Sequence, residues 1–378
     1  MRIISRYLTK ELLFVSLTGF FVFTFLLIMN SLFVMSDLVI KYSMDVFTVI
    51  MMLLYLIPST VAVTVPMAFL VGVLLTYSRL VQDNEYHGMQ SGGISITAIA
   101  MPAVWLSVLI TVAMIAFNNW VLPAANLSYK KLYYEIARKR SAILIQEHSF
   151  VKQFDGYLFY VGEKDSKNDV LKKILVFVKD PKNLSEPVRV MTASSGELIS
   201  DESSLRIALH LHSGSILSTS YSDPFRVNLM NFDSNLIDLD VKGSLRHGYD
   251  PSELKGSREM TIDELIKEIN SKDSRQDRNW LKVELNKKFS LPFAVLAFCI
   301  IGIPLGLMTK KGGRMLGIGF SLVLIFIYYV LLSMGQTYGY SGKMSYFLSA
   351  WLPNLFMLAA GAILFAMLIR AKIKRAQR

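Results

Sequence analysis

Six stretches of the chain contain no Asp, Glu, Lys or Arg: residues 12–36, 46–78, 88–129, 289–309, 315–342 and 344–369. An α-helix needs about 20 residues to cross about 30 Å of hydrocarbon, and each stretch is long enough. Lipid offers no partner to an open backbone N–H or C=O, so segments of this kind must cross as helices. The sequence therefore predicts six transmembrane helices. A composition that is 53% hydrophobic and 18% charged agrees, being more apolar than most soluble chains. The first run, 25 residues long, exceeds the roughly 7–15 residues of a secretory-signal core. Asp37 and Lys41, rather than a small-residue cleavage pattern, follow it. It reads as a permanent anchor.

The formal net charge of +11 invites a polyanion partner, but its distribution argues against nucleic acid. Arg2, Arg6, Lys10, Arg79, Lys310, Lys311, Arg314, Arg370, Lys372, Lys374, Arg375 and Arg378 flank the apolar runs on one side. They meet only Glu11, Asp83 and Glu85 there, which leaves +9. The short loops opposite hold Lys41 and Lys343 against Asp37 and Asp45. This is the positive-inside pattern, and it predicts both termini in the cytoplasm.

The expected organisation is three helices over 1–118, an extracytoplasmic domain over 119–288, and three more helices over 289–378 with a basic tail. Pro58 and Pro66 interrupt the second helix, and Ser95 is a candidate N-cap for the third. From about Phe150 the pattern turns to β. "SLRIALHLHSGSIL" places Leu205, Ile207, Leu209 and Leu211 at period two, with "KKILVFVKD" and "FRVNLMNFDSNLIDLDV" as further strands. The clusters at 179–183 and 194–197 read as turns, and the whole as an antiparallel, jelly-roll-like domain. "TIDELIKEIN" reads as a helix with a capping box, and a polar helix from about Arg275 runs into helix four.

No zinc-protease, phosphate-loop or nucleophile-elbow motif is present. His210 and His212 share a strand face, but without Cys or a carboxylate pattern they predict no metal site. The lone Cys299 forms neither an intrachain disulfide nor a metal cluster. Nothing points to an enzyme or to a cofactor held by this chain. "LPFAVLAFCIIGIPLGL" puts Pro292, Gly302, Pro304 and Gly306 in one membrane helix, which fits close helix packing or a moving helix. A channel or ion-coupled carrier would place buried charged groups inside the runs, and the runs contain no Asp, Glu, Lys or Arg.

Between helices two and three lies "SRLVQDNEYHGMQSGGIS". Asp83 or Asn84 is a candidate cap for a short helix, Glu85 sits in its first turn, and Gly92 ends it. A chain with an extracytoplasmic domain and no energy source needs a handle on its inner side, and this helix suits that role.

These residues resemble the LptF/LptG lipopolysaccharide-export permease family along essentially the whole chain. The resemblance rests on "RYLTKELL" from Arg6, "MAFLVGVLLTYSRLVQDNEYHGMQSGGIS" from Met67, "FSLPFAVLAFCIIGIPLGL" from Phe289 and "GGRMLGIGFSLVLIFIYYVLL" from Gly312. "VMTASSGEL" from Val190 is more similar to the LptF branch. The resemblance implies an ABC-transporter permease subunit that extracts lipopolysaccharide from the inner membrane of a Gram-negative bacterium. It implies a sister LptG-like permease, a dimer of the ATPase LptB carrying ATP and Mg, and a periplasmic bridge of LptC and LptA joined by the β domain. The coupling helix then falls at about 79–92, with Arg79, Asp83, Glu85, Met89 and Gly92 serving ATPase coupling and Glu85 as its acidic residue. Lys41 is the implied headgroup contact, and Phe69, Leu209, Leu211 and Phe326 are implied contacts for acyl chains. The chain departs from the family at the outer end of helix one, where Asn30, Ser31 and Asp37 stand and Lys41 alone is basic. The rival architecture is a mechanotransmission-type permease, or a transporter of another lipid or lipoprotein. The mechanotransmission type has four membrane helices and its outer domain after the first.

Overall fold

A computed structural model describes residues 2–42, 45–139, 149–151, 157–165, 170–178, 189–201, 206–220, 223–239, 255–271, 275–309 and 313–376. The helices are α1 (Arg2–Tyr42), α2 (Val46–Gln82), α3 (Glu85–Ser91), α4 (Ile96–Ala116), α5 (Leu122–Lys139), α6 (Ile262–Ser271), α7 (Arg275–Met308), α8 (Gly313–Tyr340) and α9 (Tyr346–Ala376). A π-turn, Phe117–Val121, joins α4 to α5. Six strands lie between α5 and α6: β1 (Ser149–Val151), β2 (Tyr157–Asp165), β3 (Val170–Val178), β4 (Arg189–Asp201), β5 (Arg206–Ser220) and β6 (Asp223–Leu239). The chain divides into two compact units, one of residues 1–32, 53–126 and 256–378, the other of 33–52 and 127–255.

Among the described residues, six helices are long and apolar enough to cross a membrane, as the charge-free runs predict. Of the most apolar stretch of α7, 67% is buried, against 6% for α1, so α7 is the core of the helical unit and α1 its periphery. Small residues let the helices approach, because without solvent water the contact rests on close packing. A Cβ on Gly302 would come within 2.9 Å of the Val73 side chain, and one on Gly306 within 2.8 Å of Tyr77 Cβ. The glycines of α7 are therefore the seam against α2. Gly361 of α9 lies against Ile300 of α7 in the same way.

By contrast, α1 touches α2 along a narrow line of small residues. Gly19 faces Ala68, Ser16 faces Gly72, and Thr24 Oγ1 donates to Thr64 Oγ1 at 3.1 Å. Its other side presents Phe14, Leu17, Phe21 and Phe25, spaced as one helix face and all more than half exposed. Its first turns are better anchored, since Leu8 and Leu12 are buried with Leu80, Tyr86, Leu307 and Leu368.

The strands form one antiparallel sheet in the order β1-β2-β3-β4-β5-β6. The antiparallel β domain is as expected, and among the described strands neighbours in the sheet are consecutive in sequence. The register skips Gly162 against Lys173, Lys173 against Ser194, Ser194 against Ser213, and Ser213 against Asp233. Lys173 (φ 55) and Ser213 (φ 50) are left-handed on this line. A left-handed residue breaks strict alternation, so in β3 the buried side chains change from Leu171 to Ile174 and Val176. The skips form a crease across the sheet, and they explain why these strands alternate imperfectly in sequence.

Ser194–Glu197, expected as a turn, lies inside β4. Gly196 is there because a Cβ would meet Ile174 Cδ1 at 2.6 Å and the His210 carbonyl at 3.0 Å. The turn expected at 179–183 lies outside the described residues. Thr261 and Glu264 form the expected capping box of α6: Thr261 N donates to Glu264 Oε2 at 3.0 Å, and Glu264 N to Thr261 Oγ1 at 3.4 Å.

Candidate functional site: the α2–α3 junction

The last turn of α2 is a hub. Four consecutive side chains leave it in different directions, because a helix rotates about 100° per residue. The Tyr77 hydroxyl donates to the Ile99 carbonyl of α4 at 2.9 Å. Ser78 Oγ accepts from Thr309 Oγ1, just past α7, at 3.1 Å. Arg79 reaches α1, with Nε 3.3 Å from Glu11 Oε1 and the guanidinium 5.8 Å from the centre of the Tyr7 ring. Leu80 is fully buried among Leu8, Leu12 and Tyr86.

Glu85, the first residue of α3, closes this junction. The Tyr7 hydroxyl donates to its carboxylate, lying 3.0 Å from Oε1 and 2.9 Å from Oε2. The same hydroxyl accepts from Arg79 Nη2, which is itself 3.9 Å from Glu85 Oε1. Tyr7 thus bridges a cation on α2 and an anion on α3 from a position on α1. All three side chains are partly shielded, which strengthens the pairing beyond that of a fully solvated ion pair. The Arg79–Glu11 contact is a charge pairing only, because Nε has no hydrogen bond of acceptable geometry.

Around this core, Tyr86 anchors α3. Its ring is buried, its hydroxyl accepts from Gln90 Nε2 at 2.6 Å, and burial pushes its phenol up from the usual range. Met89 packs partly buried against the same cluster. Asp83 is exposed in the turn, its N–H bonded to the Arg79 carbonyl at 2.9 Å. It does not cap α3. Asn84 occupies the N-cap in a left-handed conformation (φ 58) with no side-chain bond to the helix. Gly92 follows the last helical residue at φ −75, and the left-handed position that ends the turn is Gly93 (φ 81). Ser95 caps α4 as expected, accepting from Ala98 N at 3.2 Å.

The other assigned residues do not converge here. Lys41 is in the last turn of α1, with its side chain outside the described residues. Phe326 points outward from α8, 70% exposed, whereas Phe69 is 1% exposed in the helical core. An acyl chain reaches Phe69 only if helices part. Leu209 and Leu211 are fully buried in the sheet, packed with Phe159, Val161 and Ile237. Tyr7, Glu11, Tyr77, Ser78 and Thr309 are junction residues that sequence reasoning passed over. Tyr7 and Glu11 had one available signal, a helical spacing of four within "RYLTKELL".

A charge-free crossing pattern, a sheet between the third and fourth spans, and a short acidic helix after the second now stand together. The family model described as "Lipopolysaccharide export system permease LptF/LptG" matches residues 6–367. The chain belongs to this permease family. LptF of Escherichia coli K12, named a lipopolysaccharide export system permease protein, is 20% identical over 367 residues, 96% of this chain and 94% of that one. LptF of Shigella flexneri matches to the same extent. An uncharacterized Rickettsia prowazekii protein is 23% identical over 154 residues, 41% of each chain. The full-length relatives carry the LptF name, in keeping with the branch suggested by Val190–Leu198.

Proposed function

We propose that this chain is one of two permease subunits that lift lipopolysaccharide out of the inner membrane of a Gram-negative bacterium, and that α3 is its coupling handle. In this reading both termini and α3 face the cytoplasm, where the basic residues cluster, and the sheet lies in the periplasm. A separate ATPase dimer of the LptB kind binds ATP and Mg and moves α3. LptC and LptA continue the path from the sheet. Arg79, Asp83, Glu85, Met89 and Gly92 belong to the docking surface. Lys41 meets a phosphate, and Phe326 borders the acyl chains. Phe69 does so only when the bundle opens. The sheet interior, lined by Leu209 and Leu211, receives chains when its crease widens.

The observation that carries this reading is the Tyr7 bridge. A displacement of α3 acts through Glu85 and Tyr7 on the first turns of α1, the least buried of the six helices. Extraction exposes methylenes at about 0.8 kcal/mol each, so a loosely held helix moved by an external ATPase answers the physical need. The exposed face of α1 at Phe14, Leu17, Phe21 and Phe25 suits the cargo or the sister permease. Six spans with the domain after the third disfavour the mechanotransmission architecture.

Affinity purification of the tagged chain from native membranes tests the proposal. An ATPase and a second permease should accompany it, and Glu85→Ala should release the ATPase while the sister permease stays. Retention of a fully active ATPase by the Glu85→Ala chain would refute the handle.

A further inference from the structure

At the α3 end of the helical unit, a groove of about 780 Å³ runs between the first turns of α1 and the first half of α4. Arg6 and Lys10 line one side, four residues apart and so on one face of α1. Thr97, Met101 and Trp105 continue it along α4, again at steps of four. From Thr97 to Trp105 the groove descends about 12 Å at 1.5 Å per residue. Met101 is 51% exposed and Trp105 69% exposed. The groove is therefore cationic at its mouth and apolar at its depth. The junction next to it has used its own charge, since Arg79 is matched by Glu11 and Glu85. Among the described residues, Arg6 and Lys10 have no acidic partner.

We propose that this groove binds an anionic glycerophospholipid of the leaflet on the α3 side of the membrane, with its phosphate on Arg6 and Lys10 and one acyl chain along Met101 and Trp105. The form of the groove decides the occupant. A soluble protein could meet the basic mouth, but Trp105 lies inside a candidate membrane span, Ile96–Tyr133, at a depth reached by a lipid chain. A free phosphate would leave the apolar part empty. Basic clefts between membrane helices near the surface are suited to anionic headgroups, and the volume fits a headgroup with part of one chain. A lipid seated there touches both α1 and α4 beside the Tyr7 bridge, so it would stabilise the position of the loosest helix. This proposal requires only that the helices span a membrane; it does not depend on what the permease carries.

Trp105 supplies the probe. The full-length chain, with the subunits that accompany it, is placed in phosphatidylcholine nanodiscs containing increasing mole fractions of dibrominated phosphatidylglycerol, and tryptophan fluorescence is followed. The expected result is a saturable quenching component, absent in Trp105→Phe. It should half-saturate at a mole fraction roughly thirtyfold below that for dibrominated phosphatidylcholine, the scale expected from two basic side chains at a membrane surface. Arg6→Gln/Lys10→Gln should abolish the difference between the two lipids. Lys10→Gln alone should reduce it, which keeps the test decisive if the double variant fails to assemble. Arg370→Gln, an exposed base near the end of α9, should leave it unchanged. Inorganic phosphate at matched ionic strength should not displace the lipid. Equal curves for the two lipids, or a preference surviving in the double variant, would overturn the proposal. So would a Trp105 signal that no brominated lipid alters in the assembled complex, because a protein would then cover the groove.

Discussion

Replacing Tyr7 by Phe removes one oxygen and leaves the ring, so it isolates the bridge from its packing. That oxygen donates one proton, shared by the two Glu85 oxygens at 3.0 and 2.9 Å, and accepts one from Arg79. Hydrogen bonds to charged groups contribute about 1.5–3 kcal/mol where they are shielded. Here the side chains of Arg79 and Glu85 are 19% and 32% exposed, so screening reduces the expected value to about 1 kcal/mol. If α3 docks on the ATPase as proposed, a looser Glu85 weakens docking by roughly fivefold in Tyr7→Phe. Glu85→Gln, which removes the charge itself, should weaken it more. The double variant should be no worse than Glu85→Gln alone, leaving a coupling of about 1 kcal/mol between the two positions. The assay is binding of the purified ATPase to the detergent-solubilised permease, titrated for the wild type, both single variants and the double. Effects that add within about 0.3 kcal/mol would show that Tyr7 and Glu85 act separately, and the transmission argument would fail.

Two further predictions concern the scaffold. Gly306→Ala places a Cβ 2.8 Å from Tyr77 Cβ and 3.2 Å from the Leu74 carbonyl, in the central α2–α7 seam. It should destabilise the helical unit by about 1–3 kcal/mol, read as a lower unfolding temperature in detergent; an unchanged temperature would mean that these helices do not meet at Gly306. Lys173→Gly relieves a left-handed residue on the crease and loses only an exposed ion pair with Glu163. It should raise resistance to proteolysis in the sheet; a clear loss would argue against the crease.

How much of this was legible in the sequence differs from element to element. The capping box at Thr261 and the N-cap at Ser95 could be read directly, because each bond spans three residues. Gly302 and Gly306 could be recognised as packing residues, but not their partners Val73 and Tyr77. The strands were visible through their apolar alternation, yet Ser194–Glu197 was misread as a turn. A Ser-Ser-Gly run has turn chemistry, and only the neighbours Ile174 and His210 show why glycine is needed inside a strand there. Phe69 is implied as an acyl-chain contact only by the family resemblance, and only the packing shows that it lies in the helical core, because an apolar residue in a membrane helix looks the same whether it meets a chain or another helix. The charge of Glu85 was conspicuous, whereas Tyr7, 78 residues earlier, gave no sign of being its partner.

The sequence by itself determined the six crossings, since transfer of a segment into hydrocarbon is a sum over consecutive residues and charge-free length is enough to fix it. The tertiary structure alone decided which helix is central and which is peripheral, that Tyr77 to Leu80 reach separate neighbours, and that Tyr7 closes the circuit between Arg79 and Glu85. Those outcomes depend on distances between residues far apart in the chain, and such distances exist only after the helices have packed.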